Sequence, residues 1–123
     1  VRNLLGADQT TGAVAVGEVV QEGQTVQFQL RDAVSASQEF NALLAADHAR
    51  HRHPPLGALM FSCCGRGQGL FGKPNHDAGT ASARLGAIPL AGFFAQGEIG
   101  PIGGRNFLHG YTASVALFAE RDR

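Results

Sequence analysis

The clearest alternation in the chain lies in Thr25–Leu30, where Val26, Phe28 and Leu30 face one way and Thr25, Gln27 and Gln29 the other. Period two over six residues predicts a half-buried antiparallel strand. A strand over 13–20, with Val14 and Val16 on alternate positions, precedes it across the hairpin-length turn Gln21-Glu22-Gly23-Gln24. Asp8 to Gly12 carries turn chemistry. The period then changes. Ser35 with Gln38 three residues on is a capping-box signature, and Phe40, Leu43 and Leu44 share one helical face. A helix is expected over 35–50, stopped by Pro54-Pro55. Leu56–Ser62 is a short continuous apolar run, the mark of a strand covered on both faces.

A second helix is expected over 76–85, with Asn75 as its cap, Asp77 in its favourable first turn and Gly86 at its stop. Ile88–Phe94 reads as a strand in which Ala91-Gly92 allows close packing. The stretch 96–104 is too glycine-rich for a regular strand interior, and 107–118 closes the pattern as one last strand. The order β-β-α-β-α-β-β predicts an α+β fold, a two-layer sandwich with helices packed on a mixed sheet, in a single domain over 1–123.

Composition narrows the functions open to such a fold. The 123 residues are enough for one domain with a real core. Ten Lys plus Arg balance ten Asp plus Glu, so no long-range field favours nucleic acid or an anionic membrane. Trp is absent and Tyr111 is the single Tyr, so platforms for stacking bases are scarce. Charged residues make up only 16%, against about 25% in typical soluble domains. Part of the surface is therefore expected to be covered by a partner or by the rest of a longer protein. The start at Val1, without Met, fits the same expectation, and any targeting signal would lie outside the sequence.

Candidate chemistry gathers in Phe61-Ser62-Cys63-Cys64-Gly65-Arg66-Gly67-Gln68-Gly69-Leu70-Phe71-Gly72-Lys73-Pro74. The run Gly67 to Lys73 matches the first seven positions of a phosphate-binding loop. Pro74 then replaces the magnesium-binding Ser or Thr and removes an amide. Two readings of the loop stay open: tight backbone packing, or a ligand carboxylate held by backbone amides and Arg66. Adjacent Cys63 and Cys64 point to opposite sides of a strand, so one is expected in the core and the other at the loop. A thiol hydrolase or transferase would need a cation such as Arg66 to lower the thiol pKa and a base, His76 or His109, brought to it by folding. No spaced Cys pairs mark a zinc site. His48, His51 and His53 fit a solvated helix end. Glu98, set among Gly97, Ile99, Gly100 and Pro101, would be costly to bury alone. It needs Arg66, Arg105, a backbone nest or a ligand ammonium. His109, between Leu108 and Gly110, either meets a ligand or holds a neighbouring loop.

Several of these words, in this order, resemble the C-terminal domain of FIST (F-box and intracellular signal transduction) proteins. They are Phe61-Ser62-Cys63 into Gly65-Arg66-Gly67, Leu70-Phe71-Gly72, Gly92-Phe93-Phe94, Gly97 through Gly104, and Leu108-His109-Gly110-Tyr111-Thr112. Arg2 to Gly6 and Leu30-Arg31-Asp32 resemble it too, so the likeness spans most of residues 1–118. The resemblance implies an intracellular sensory domain for small ligands such as amino acids, beside an N-terminal FIST domain. The expectation is a binding domain, not an enzyme, without cofactor or metal. Cys63, Gly65, Arg66, Gly67, Glu98 and His109 are its candidate ligand-binding residues. Arg66 would face a ligand carboxylate and Glu98 its amine. The alternative is a protein-interaction module of the adaptor kind.

Overall fold

The computed structural model describes residues 2–51 and 53–120, in two compact units, Val1–Leu30 and Arg31–Arg123. In the first unit β1 (Leu4–Ala7) pairs antiparallel with β2 (Val14–Val16). The turn between them is held by the Asp8 carboxylate, which accepts from the Thr10 amide at 2.8 Å and the Thr11 hydroxyl at 2.7 Å. The strand expected over 13–20 is thus cut to three residues. The strand expected over Thr25–Leu30 does not form, and Val26, Phe28 and Leu30 are exposed, Leu30 by 89%. Alternation makes a segment competent to be a strand, but strand structure needs a neighbour to bond and a surface to cover. Within this unit Thr25–Leu30 has neither.

The second unit is built on α1 (Ala33–His48) and a three-stranded sheet. Asp32, not Ser35, caps α1: its carboxylate accepts from the Ser35 amide at 2.9 Å. Phe40 and Leu44 are buried, whereas Leu43, expected beside them, is exposed. The sheet has β3 (Gly57–Cys63) at its centre. It runs parallel to β4 (Leu90–Ala95) and antiparallel to β7 (Ala113–Phe118). Met60 of β3 sits opposite Gly92, where any Cβ would collide with the Met60 carbonyl, so the close packing expected at Ala91-Gly92 is a steric requirement.

The chain leaves β3 through a 3-10 turn at Cys64–Arg66 and a single turn of helix, α2 (Gln68–Phe71), closed by left-handed Gly72 at φ 68°. Then comes α3 (His76–Leu85), with the expected bounds. Asn75 occupies its cap position but is itself left-handed, and its side chain makes no capping bond. Gly86, at φ 84°, ends the helix as expected. The core lies between the helices and one sheet face: Phe40, Leu44, Ala81 and Leu85 against Ala58, with Met60, Leu90, Val115 and Leu117 around them.

The stretch expected to be too rich in glycine for a strand is one. β5 (Glu98–Ile102) and β6 (Arg105–His109) form a hairpin across Gly103-Gly104, both at positive φ. A two-residue turn of that kind matches the twist of its strands, so the glycines make the hairpin rather than break it. The strand expected over 107–118 is therefore two, β6 and β7, separated at Gly110–Thr112, with Tyr111 at φ 62°. The fold is α+β, with helices on a mixed sheet, as expected; the chain order is ββαβααββββ.

Candidate functional site

The turn after β3 carries Arg66 into the interior. Its Nε donates to Asp77 Oδ2 at 2.8 Å and its Nη2 to Oδ1 at 3.0 Å, a bidentate pair with both side chains almost removed from solvent. Ser62, on β3, donates its hydroxyl to Oδ2 at 2.9 Å. His76 places Nδ1 3.0 Å from Oδ1 and Nε2 3.0 Å from the Ser37 hydroxyl on α1. The His76 ring lies flat on Phe71 of α2, with centroids 3.5 Å apart, and the Arg66 guanidinium lies over the Phe40 and Phe71 rings. One polar cluster thus ties together β3, the turn, α1, α2 and α3. Burial alone would raise the Asp77 carboxyl. The bonds from Arg66 and His76, the Arg66 charge and the Ser62 hydroxyl outweigh it and hold the carboxyl below its ordinary range.

The loop glycines have different reasons. A Cβ on Gly65 would stand 2.7 Å from Arg31 Nη1 and 2.8 Å from the Tyr111 ring. Arg31 donates to the Gly65 carbonyl at 3.1 Å while its guanidinium stacks over Tyr111, 4.2 Å from the ring centroid. Gly65 is therefore the floor of an Arg31–Tyr111 clamp, which accounts for it by close packing. A Cβ on Gly67 would come only into ordinary contact with the Phe94 ring, at 3.7 Å. The two Cys divide as expected, Cys63 ending β3 and Cys64 opening the turn. Cys63 is buried, its sulfur accepting from the Gly65 amide at 3.5 Å, and Cys64 is exposed.

Glu98 is 1% exposed. Its Oε2 accepts from the Thr112 hydroxyl at 2.9 Å and the Thr112 amide at 3.3 Å, while Oε1 has no partner among the described residues. The ion pair expected between Glu98 and Arg66 or Arg105 does not form. Arg66 is committed to Asp77, and Arg105 lies at the far end of the hairpin over Phe107. His109 stands opposite Glu98 in the β5–β6 register and bonds the Gly100 carbonyl through Nε2 at 3.0 Å. His109 thus ties β6 to β5 through its side chain.

Two cavities of small-molecule size flank the cluster. One, of about 550 Å3, is lined by Phe40, Arg66, Pro101, His109, Tyr111 and Thr112. The other, of about 610 Å3, is lined by Ser62, Arg66, Gly67, His76, Asp77 and Phe94. Arg66 belongs to both walls. Nη1, its third nitrogen, has no hydrogen-bond partner among the described residues. Cys63, Gly65 and Glu98 line neither cavity. Sequence reasoning gave Ser37, Ser62, Asp77 and Thr112 no site role, and it weighed His76 only as a base for a thiol. Asp77 was already accounted for as a helix first-turn acid, which hid its pairing with Arg66. Among the described residues no group of three or more His, Cys, Asp or Glu is placed to hold a metal ion, and no helix is long and apolar enough to cross a membrane.

A family model, that of the FIST C domain, matches residues 1–101. The chain is similar to an uncharacterized protein of Mycobacterium tuberculosis, 55% identical over 120 residues, and to one of Mycobacterium bovis, 54% identical over the same length. Each match takes in 98% of this chain and 31% of the relative, so the chain spans about a third of the length of the curated relatives it matches.

Proposed function

The chain belongs to the FIST C domain family, which is associated with signal transduction, and we propose that its Arg31–Arg123 unit is a small-molecule-binding sensory domain. One observation carries this reading: a buried arginine forms part of the wall of two cavities of ligand size. Volumes of 300–1,000 Å3, roughly, are usual for small-molecule sites, lined by apolar side chains with a few polar groups between them. Arg66 supplies the charge. Asp77 fixes its plane from one side, and Nη1 is the donor left for a ligand oxygen. A carboxylate is the group such an arginine suits, which keeps amino acids and related metabolites as the first class of ligand. Glu98 lines neither cavity, so this reading assigns it no contact with the ligand amine.

On this reading the domain binds and reports rather than catalyses, needs no cofactor, and works within an intracellular signalling chain. The alternative, an interaction or adaptor module, draws on exposed apolar side chains such as Phe93 and Ile99.

The test is a thermal-shift screen of the natural full-length protein against amino acids and related carboxylates. A ligand at about one hundred times its Kd stabilises the folded state by about 2.7 kcal/mol, a readily measured rise in Tm. The shift should vanish in Ala36→Phe, which fills the cavity beside α1 from a residue outside the Arg66 cluster. If no carboxylate raises the Tm at millimolar concentration, the reading fails. A shift that survives Ala36→Phe moves the ligand to the cavity beside α3.

A further inference from the structure

β3 runs parallel to β4 and antiparallel to β7, and in all-parallel sheets, covered on both faces, the strands read as continuous apolar runs. The continuous apolar run of β3 has the composition of a strand so covered. Yet α1 and α3 cover only one face, the one bearing Ala58, Met60, Leu90, Val115 and Leu117. The opposite face carries Leu59 and Phe61 of β3, Ala91 and Phe93 of β4, and Ala116 and Phe118 of β7. Leu59 is 37% exposed, Phe118 53% and Phe93 65%. Phe61 and Phe93 pack edge to face, with centroids 5.1 Å apart, so the aromatic surface is already ordered. No charged residue lies on this face. Its polar side chain, Ser114, spends its hydroxyl on the Ile99 carbonyl. A solvated sheet face alternates toward polar residues, and this one does not.

We propose that this face is an interior surface of the full-length protein, covered by an apolar layer from the polypeptide outside these 123 residues. Area decides between that occupant and a separate molecule. Three strands spaced about 4.8 Å apart, six residues long at about 3.3 Å each, offer about 300 Å2. A stable complex between separate chains needs roughly 800 Å2 from each partner. A layer tethered in the same polypeptide needs far less, because the tether supplies its effective concentration. There is chain to provide it: the match takes in 98% of this chain but 31% of each relative. The low overall charge fits a unit with a covered face.

The experiment is hydroxyl-radical footprinting of the natural full-length protein, read by mass spectrometry at Phe93 and Phe118. Both should be oxidised about tenfold more slowly than in the unfolded protein, the protection of a closed interior. The protection should be the same at about 50 and about 1 μM, since only an intermolecular contact follows mass action. Oxidation of Phe93 near the unfolded rate overturns the proposal. Protection that disappears on dilution also overturns it, in favour of a second copy. As an independent check, Phe93→Glu should sharply lower the Tm of the full-length protein, while Ala83→Glu, on the exposed side of α3, leaves it unchanged. If Phe93→Glu does not fold, footprinting of the unmutated protein decides alone.

Discussion

Asp77 and Glu98 are both nearly removed from solvent, at 6% and 1% exposure. Asp77 receives two bonds from Arg66, one from Ser62 and a contact from His76. Glu98 receives two donors, both from Thr112 and both on one oxygen. A buried carboxylate is stable as an ion only where opposite charge and donors replace the water it has lost. Asp77 meets that condition within the unit. Glu98 meets half of it. The difference separates a structural ion pair, which sets where Arg66 points, from a carboxylate whose full complement of partners is not supplied by the described residues.

The largest expected effect breaks the better-served side. Asp77→Asn keeps the side-chain shape and removes the charge, leaving Arg66 buried without its counter-ion. Removing one member of a buried pair typically costs about 3–5 kcal/mol. Urea unfolding of the full-length protein should show a loss of that order. A loss under about 1 kcal/mol would mean that Arg66 finds another anion, and the contrast with Glu98 would collapse.

How far the site was legible follows from the range of each signal. The bounds of α3, the stop at Gly86, the need for Gly92 and the division of the two Cys all rest on local rules, and the structure bears each of them out. The Arg66–Asp77 pair does not rest on such a rule. It joins the turn after β3 to the first turn of α3, and nothing in the chain between them announces it. Thr25–Leu30 shows the opposite failure. Its period is flawless, but period states only what a segment can do, and the strand is absent for want of a partner within its unit. The β5–β6 hairpin was hidden by counting glycines instead of placing them: Gly103 and Gly104 are its turn, and only Gly100 lies within a strand.

A smaller effect comes with pH. The Asp77 carboxyl titrates below its ordinary value of 3.8 in the folded state, because the Arg66 bonds and the other donors outweigh burial. The unfolded chain thus takes up this proton first as the pH falls. The stability Asp77 contributes is complete above the unfolded value and is lost as pH drops through the folded one. Asp8, Glu18 and Asp32 are lowered too, so the acid slope of the unaltered protein is not Asp77's alone. The informative quantity is the gap in stability between the unaltered protein and Asp77→Asn, measured by urea midpoints from about pH 6 to about pH 3. The gap should narrow toward acid. A constant gap would show that the Asp77 charge is not what holds Arg66.

The smallest expected effect is at Glu98. In Glu98→Gln, the oxygen that accepts from Thr112 is retained, and an amide replaces the oxygen that has no partner. A side chain whose second oxygen makes no bond loses little when that oxygen becomes an amide, so the change should stay within about 1 kcal/mol in either direction. Thr112→Val, which takes away one donor and spares the amide, should cost about 1–2 kcal/mol, more than removing the charge itself. Reversal of that order is the telling outcome. A loss above about 3 kcal/mol for Glu98→Gln in the full-length protein would mean that Oε1 meets a cation there. Glu98 would then be the second member of a buried pair, served like Asp77, with its partner on chain outside these 123 residues.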